Sequence, residues 1–198
     1  MIFAHISTVG FVILGLSMVR LMINLTALLA KNSNDTGDDD VTFYWPHTTF
    51  CFITLFTIIL YWWTCYPLKN TDYFPDSGWN LFTFLLFLTV PFLFFMVSEV
   101  ICPQNHEGKP LNLEEYYYKF HRVILGLALL LQCVLIGNLF VFFQGEVVSL
   151  KVLGRVIMLL VMTPMVISKN KRLHEIGMGI FLVGFIYTII KYHIYPVI

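Results

Sequence analysis

Six long apolar segments limit what this sequence can fold into. Each holds roughly 20 mostly apolar residues, which is the length that an α-helix needs to cross the hydrocarbon core of a bilayer. In lipid such segments satisfy their backbone hydrogen bonds as helices. The segments cover residues 2–30, 46–66, 79–102, 122–143, 148–168 and 175–195.

The composition agrees with a chain that lies mostly in lipid. Hydrophobic residues make up 58% of the sequence and charged residues only 12%, whereas a soluble domain has about 25% charged residues. The formal net charge is zero, so we expect no direct nucleic-acid binding. We predict one all-α domain over residues 1–198, a polytopic transmembrane helical bundle with six spans in the lipid bilayer.

The fifth segment is the weakest of the six spans. Lys151 and Arg155 shorten its apolar run, so the segment crosses the bilayer fully only when both side chains extend to the interface. A five-span or re-entrant arrangement is the alternative.

Basic residues in the short connections indicate the orientation. One side of the bundle carries Lys31, Lys109, Lys119, Arg122, Lys169, Lys171 and Arg172. The other side carries Lys69, Lys151, Lys191 and, depending on the fifth segment, Arg155. Because cytoplasmic loops are enriched in Lys and Arg, we predict that both termini lie outside the cell inner membrane.

A charged residue lies inside the first segment. Ser17, Arg20 and Asn24 share one helix face, and an arginine in hydrocarbon costs about 2.5–3.5 kcal/mol on insertion scales. Glu99 is the acidic residue that lies well inside a span, one turn from the cytoplasmic end of the third segment. Arg20 and Glu99 can form an ion pair if the first segment is tilted or extends past the bilayer, with a structural or a gating role. A Glu99 side chain that lies in the headgroup region and pairs with nothing is the alternative.

A second polar stripe runs along the second segment, with His47, Cys51, Thr54, Tyr61 and Cys65 on one helix face. Its hydroxyl groups either bond to nearby carbonyl groups, as is common in membrane bundles, or line a path for water or a ligand. Candidates for a polar interior or a gate are therefore Ser17, Arg20, Asn24, His47, Thr54, Tyr61 and Glu99.

Three histidines, His47, His121 and His174, begin the second, fourth and sixth spans. Such residues can hold a haem or a metal. The sequence has no HExxH or similar motif, so we favour bonds to the backbone or to lipid headgroups and predict no metal and no cofactor. Motifs for nucleophilic catalysis are also missing, which favours a non-enzymatic protein.

Charged and polar residues surround the cytoplasmic starts of the fourth and sixth spans. We interpret them as candidates for a surface that binds a cytoplasmic protein: Glu114, Glu115, His121, Arg122, Lys171, Arg172 and His174. Small residues such as Gly126, Gly137, Gly177 and Gly184 also permit close helix packing, including packing in a homo-oligomer.

Five short motifs are spread along most of the chain: His5, Ser17-Met18-Val19-Arg20-Leu21, Trp45-Pro46-His47, Trp62-Trp63 and Arg172-Leu173-His174. With them the chain resembles a family of uncharacterised bacterial six-span integral membrane proteins, which has no assigned activity. In length and span content it also resembles the membrane accessory proteins of type VI-B CRISPR systems. That resemblance implies a role in antiphage defence.

We therefore expect a non-enzymatic integral membrane protein that forms a small pore or regulates a cytoplasmic partner. One alternative is a small secondary transporter with a polar site at the bilayer midplane, in which the kinks at Pro91 and Pro164 move. The other is a haem-binding or metal-binding membrane redox protein.

Overall fold

The computed structural model describes residues 2–32, 41–69, 75–103, 111–142 and 150–191. Within these ranges the chain forms six α-helices and two short β-strands. The helices are α1 (Ile2–Asn32), α2 (Trp45–Cys65), α3 (Leu81–Ile101), α4 (Leu113–Phe142), α5 (Leu150–Ile167) and α6 (Lys171–Ile189). The strands are β1 (Val41–Thr42) and β2 (Leu111–Asn112). The predicted all-helical bundle is confirmed.

Five of these helices, α1 to α4 and α6, are long and apolar enough to cross a membrane. The apolar part of α5, Val152–Ile167, is shorter than a span. The chain is therefore a multi-pass membrane protein, and α5 is the helix for which full crossing is in question. In the sequence, Lys151 and Arg155 interrupt the apolar run of this same segment.

Side-chain caps fix where several helices begin. Asn80 and Thr83 form a capping box at the start of α3, in which each side chain bonds to the other residue's backbone N–H. Asn112 accepts hydrogen bonds from the N–H groups of Glu114 and Glu115. Because of this cap, α4 begins at Leu113 rather than near residue 122, where the apolar segment starts.

The two strands form a parallel pair in which Val41 lies opposite Leu111 and Thr42 opposite Asn112. This pairing joins the segment before α2 to the segment before α4. It brings the N-terminal ends of these two helices together at one end of the bundle. Two residues are too few to show a strand period in a sequence, and the strands were not predicted.

Buried side chains form two clusters along the bundle. One lies where α2, α4 and α6 begin and includes Tyr117, Leu125 and Met178. The other lies toward the opposite end and includes Phe87 and Phe94. The helix interfaces are thus filled with large apolar side chains along the described part of the bundle.

Glycines permit close packing at two helix interfaces. Met165 and Met158 of α5 occupy the space that side chains at Gly177 and Gly184 of α6 would need. At the interface of α1 with α3, a Cβ atom at Gly10 would lie 2.8 Å from Cε1 of Phe87. Phe87 is almost fully buried, so its ring has little room to move.

A valine at Gly10 is therefore expected to destabilise the protein. Overpacking a filled interface costs about 1–3 kcal/mol, which unfolding in mixed detergent micelles would measure. Gly15→Val is the matched control, because it lies on the same helix and has no atom within 4 Å of the added Cβ. Equal stability of the two variants would contradict the packing described for α1 and α3.

Candidate functional site

Three histidines from different helices meet at the end of the bundle where α2, α4 and α6 begin. His47, His121 and His174 are each at most 1% exposed, and the rings of His121 and His174 lie 5.5 Å apart between centroids. Tyr117 packs against the rings of His47 and His174, and Tyr44 packs against Tyr117. We call this cluster of His47, His121, His174, Tyr44 and Tyr117 the His–Tyr end.

His47 binds the last turn of α3. Its Nε2 lies 2.6 Å from the carbonyl oxygen of Ile101; since a carbonyl only accepts, Nε2 carries the proton and donates. Tyr116 donates to the neighbouring carbonyl of Val100 at 2.7 Å. The last four carbonyl groups of a helix have no partner within the helix. His47 and Tyr116 therefore supply donors that the end of α3 lacks.

His174 does the same for α5. Its Nε2 donates to the carbonyl oxygen of Ser168, just after α5 ends, at 2.7 Å. Its Nδ1 must then accept, and the hydroxyl of Tyr117 donates to it at 2.8 Å. The ring is thus neutral, in one tautomer, and both of its nitrogen atoms are used.

His121 differs because one of its nitrogens has no partner in the described part of the chain. Nδ1 donates to the carbonyl oxygen of Tyr118 at 2.8 Å, and Nε2 is buried without a hydrogen bond. The expectation that these histidines bond to the backbone is confirmed. Over the described ranges no group of three or more His, Cys, Asp or Glu side chains is placed to hold a metal ion.

Tyrosines and an ion pair cover the outer side of the His–Tyr end. The hydroxyl groups of Tyr44 and Tyr118 lie 2.9 Å apart. Burial and this hydrogen bond raise the pKa of Tyr44 well above its ordinary value, so the hydroxyl stays protonated. Lys171 lies over the Tyr44 ring and forms an exposed ion pair with Glu114 at 2.7 Å. These contacts join α4 to α6.

The structure corrects two of the proposed surface residues. His121 and His174 were expected on a surface for a cytoplasmic protein, but both are buried. His174 turns inward to donate to the carbonyl of Ser168, and the His121 ring packs against it. The other members of the proposed surface, Glu114, Glu115, Arg122, Lys171 and Arg172, reach solvent or the interface.

The predicted ion pair between α1 and α3 is present. Arg20 Nε lies 2.8 Å from Glu99 Oε1, and each side chain is about one-third exposed. Pairing lowers the cost of holding either charge at this depth. Whether the pair has a gating role stays a prediction.

Other members of the polar stripes serve their own helices. Ser17 donates to the carbonyl of Ile13 and Thr54 to that of Phe50, both at 2.8 Å. For these two hydroxyl groups the structure therefore shows the first alternative, a bond to a nearby carbonyl group, and not a free hydroxyl that lines a path. Asn24 Nδ2 is buried and has no hydrogen-bond partner among the described residues.

Toward the other end of the bundle, polar contacts join α4 to two neighbours. Asn138 donates to the Tyr61 hydroxyl at 3.4 Å, which ties α4 to α2. Arg155 Nη1 donates to Gln132 Oε1 at 3.0 Å, so Arg155 turns toward α4 instead of extending to the interface. Asn138 and Gln132 were not predicted from the sequence. Their position inside a long apolar segment was the signal that could have found them.

The outer face of α1 carries a shallow groove of about 470 Å³. Its lining residues are Val19, Met22, Ile23, Thr26, Ala27 and Ala30. All of them belong to α1, so the groove follows the surface of one helix and does not run between helices.

No protein-family model, curated protein or solved structure matches this chain.

A double-mutant cycle tests the energetic role of the Arg20–Glu99 pair. We expect Arg20→Gln and Glu99→Gln to show a coupling free energy of about 1 kcal/mol in mixed-micelle unfolding, because the pair lies at membrane depth, where water screens charges less. The matched control is the cycle of Glu114→Gln and Lys171→Gln, whose coupling should be smaller and should vanish in high salt. Equal couplings would contradict this account.

Proposed function

We propose that this chain is a non-enzymatic membrane protein that binds and regulates a soluble partner through the His–Tyr end. The supporting observation is a firmly connected helix end with exposed charges around it. Glu115, Arg122 and Arg172 are exposed there, and buried hydrogen bonds hold the helices that carry them in fixed relative positions.

Such an end has the properties of a binding surface. A surface held rigidly before binding loses little conformational entropy when a partner docks. Arginine is enriched among the residues that contribute most to protein interfaces, and Arg122 and Arg172 lie on α4 and α6, which the Glu114–Lys171 pair joins. Phe43 and Trp45, at the start of α2, add exposed aromatic surface.

The pore and transporter hypotheses receive less support from the same contacts. The hydroxyl groups of Ser17 and Thr54 bond to their own helices, and Tyr61 bonds to Asn138. These side chains are therefore used in stabilising the bundle. The groove on α1 also faces outward rather than leading through the described helices.

The proposal places the His–Tyr end in the cytoplasm and both termini outside the bacterial inner membrane. This orientation rests on the excess of Lys and Arg in the connections at that end. A role in antiphage defence is a further prediction, which rests on the resemblance to membrane accessory proteins of type VI-B CRISPR systems.

Site-specific photocrosslinking in native membranes tests the proposal. A photoreactive residue at Glu115 or Arg172 should give an adduct with one soluble protein. The reversal Arg172→Glu, combined with the photoreactive residue at Glu115, should weaken that adduct at least severalfold, because charge complementarity contributes to docking.

Val183 on α6 is the control position, since it is strongly exposed but lies within the apolar part of the helix. A photoreactive residue there should react with lipid. The proposal would be wrong if Glu115 and Arg172 gave no protein adduct, or if Val183 gave the same adduct.

A further inference from the structure

Two cysteines from different helices face each other beside the His–Tyr end. Cys51 of α2 and Cys102, which follows α3, are both fully buried, and their sulfur atoms lie 3.9 Å apart. We propose that Cys51 and Cys102 form a reversible redox site, a pair of thiols that a small hydroperoxide oxidises to a disulfide.

The geometry of the pair suits this reaction. A disulfide needs its sulfur atoms at about 2.0 Å, so the two sulfurs must approach each other by side-chain rotation. Cys102 has an extended backbone, with φ −109° and ψ 142°. Its side chain is therefore free of the restriction that a preceding helical turn places on χ1.

An imidazole ring lies beside the thiols. His47 Nε2 is 4.0 Å from Cys51 Sγ, and the same nitrogen donates to the carbonyl of Ile101, the residue before Cys102. The second ring nitrogen, Nδ1, is buried and has no hydrogen bond among the described residues. In this tautomer Nδ1 carries no proton, so a neutral imidazole ring lies beside the Cys51 thiol.

The reaction balances with a hydroperoxide as oxidant. The Cys51 thiolate attacks an oxygen of the hydroperoxide, the O–O bond breaks, and the leaving oxygen departs with the thiol proton as an alcohol or water. The Cys102 sulfur then attacks the Cys51 sulfenic acid; the S–O bond breaks and water leaves. The two thiols lose two electrons, which the hydroperoxide gains. Two molecules of a low-molecular-weight thiol then reduce the disulfide to the two thiols by exchange, and leave as a disulfide themselves.

The other cysteines cannot replace this pair. Cys65 lies fourteen positions along α2 from Cys51, a distance of about 21 Å on a helix. Cys133 is exposed on α4. The site therefore has one partner for each thiol, and its disulfide would tie α2 covalently to the end of α3.

The test uses the natural chain in liposomes, treated with hydrogen peroxide at a dose that oxidises the exposed Cys133. Denaturation, alkylation of the remaining thiols and peptide mass mapping then identify the products. We expect a linked pair of peptides containing Cys51 and Cys102, a loss of two hydrogen atoms, and full recovery of both thiols after dithiothreitol. The double variant Cys65→Ala/Cys133→Ala should form the same link within one chain, because neither of the removed cysteines takes part in it.

The variant Cys102→Ala is the matched control, and its Cys51 should not link to Cys65. The proposal would be overturned if Cys51 and Cys102 both remained alkylatable while Cys133 was oxidised. It would also be overturned if Cys51 linked to Cys65 or to another chain. Circular dichroism during the treatment shows whether the bundle is still folded when the thiols are oxidised. A link that forms only after unfolding would also count against the site.

Discussion

The hydrogen bonds that His47 and His174 donate to the carbonyl groups at the ends of α3 and α5 hold this end of the bundle together. Helix ends near lipid carry carbonyl groups that water cannot fully satisfy. The chain places a histidine early in α2 and in α6, next to the ends of α3 and α5. The N-terminal end of one helix thereby completes the C-terminal end of another, which fixes how the helices sit together.

The same constraint explains where most of the other polar side chains go. Arg20 pairs with Glu99, Arg155 bonds to Gln132, and each contact joins two neighbouring helices. In hydrocarbon these groups have few alternative partners, so they stabilise one helix arrangement over others. A bundle held in this way favours a protein that presents a fixed surface to a partner over one that opens a path.

The sequence predicted much of this fold because its main signals are local. Apolar length predicted the six helices, and the need to pair a charge in lipid predicted the contact between Arg20 and Glu99. Asn138 and Gln132 were missed because their partners, Tyr61 and Arg155, lie on other helices and become neighbours only when the bundle folds. His121 and His174 were expected on the surface because the side chains that cover them, such as Tyr117 against His174, become neighbours only in the folded bundle.

The most direct test of this account is the release of ions and small dyes from liposomes that contain the purified protein. Insertion and helix content are checked in the same preparation. We predict no release above that of protein-free liposomes, because most polar side chains of the described interior bond within the bundle. Release from the natural chain that Arg20→Ala or Glu99→Gln alters would contradict the account and would make those side chains the lining of a path.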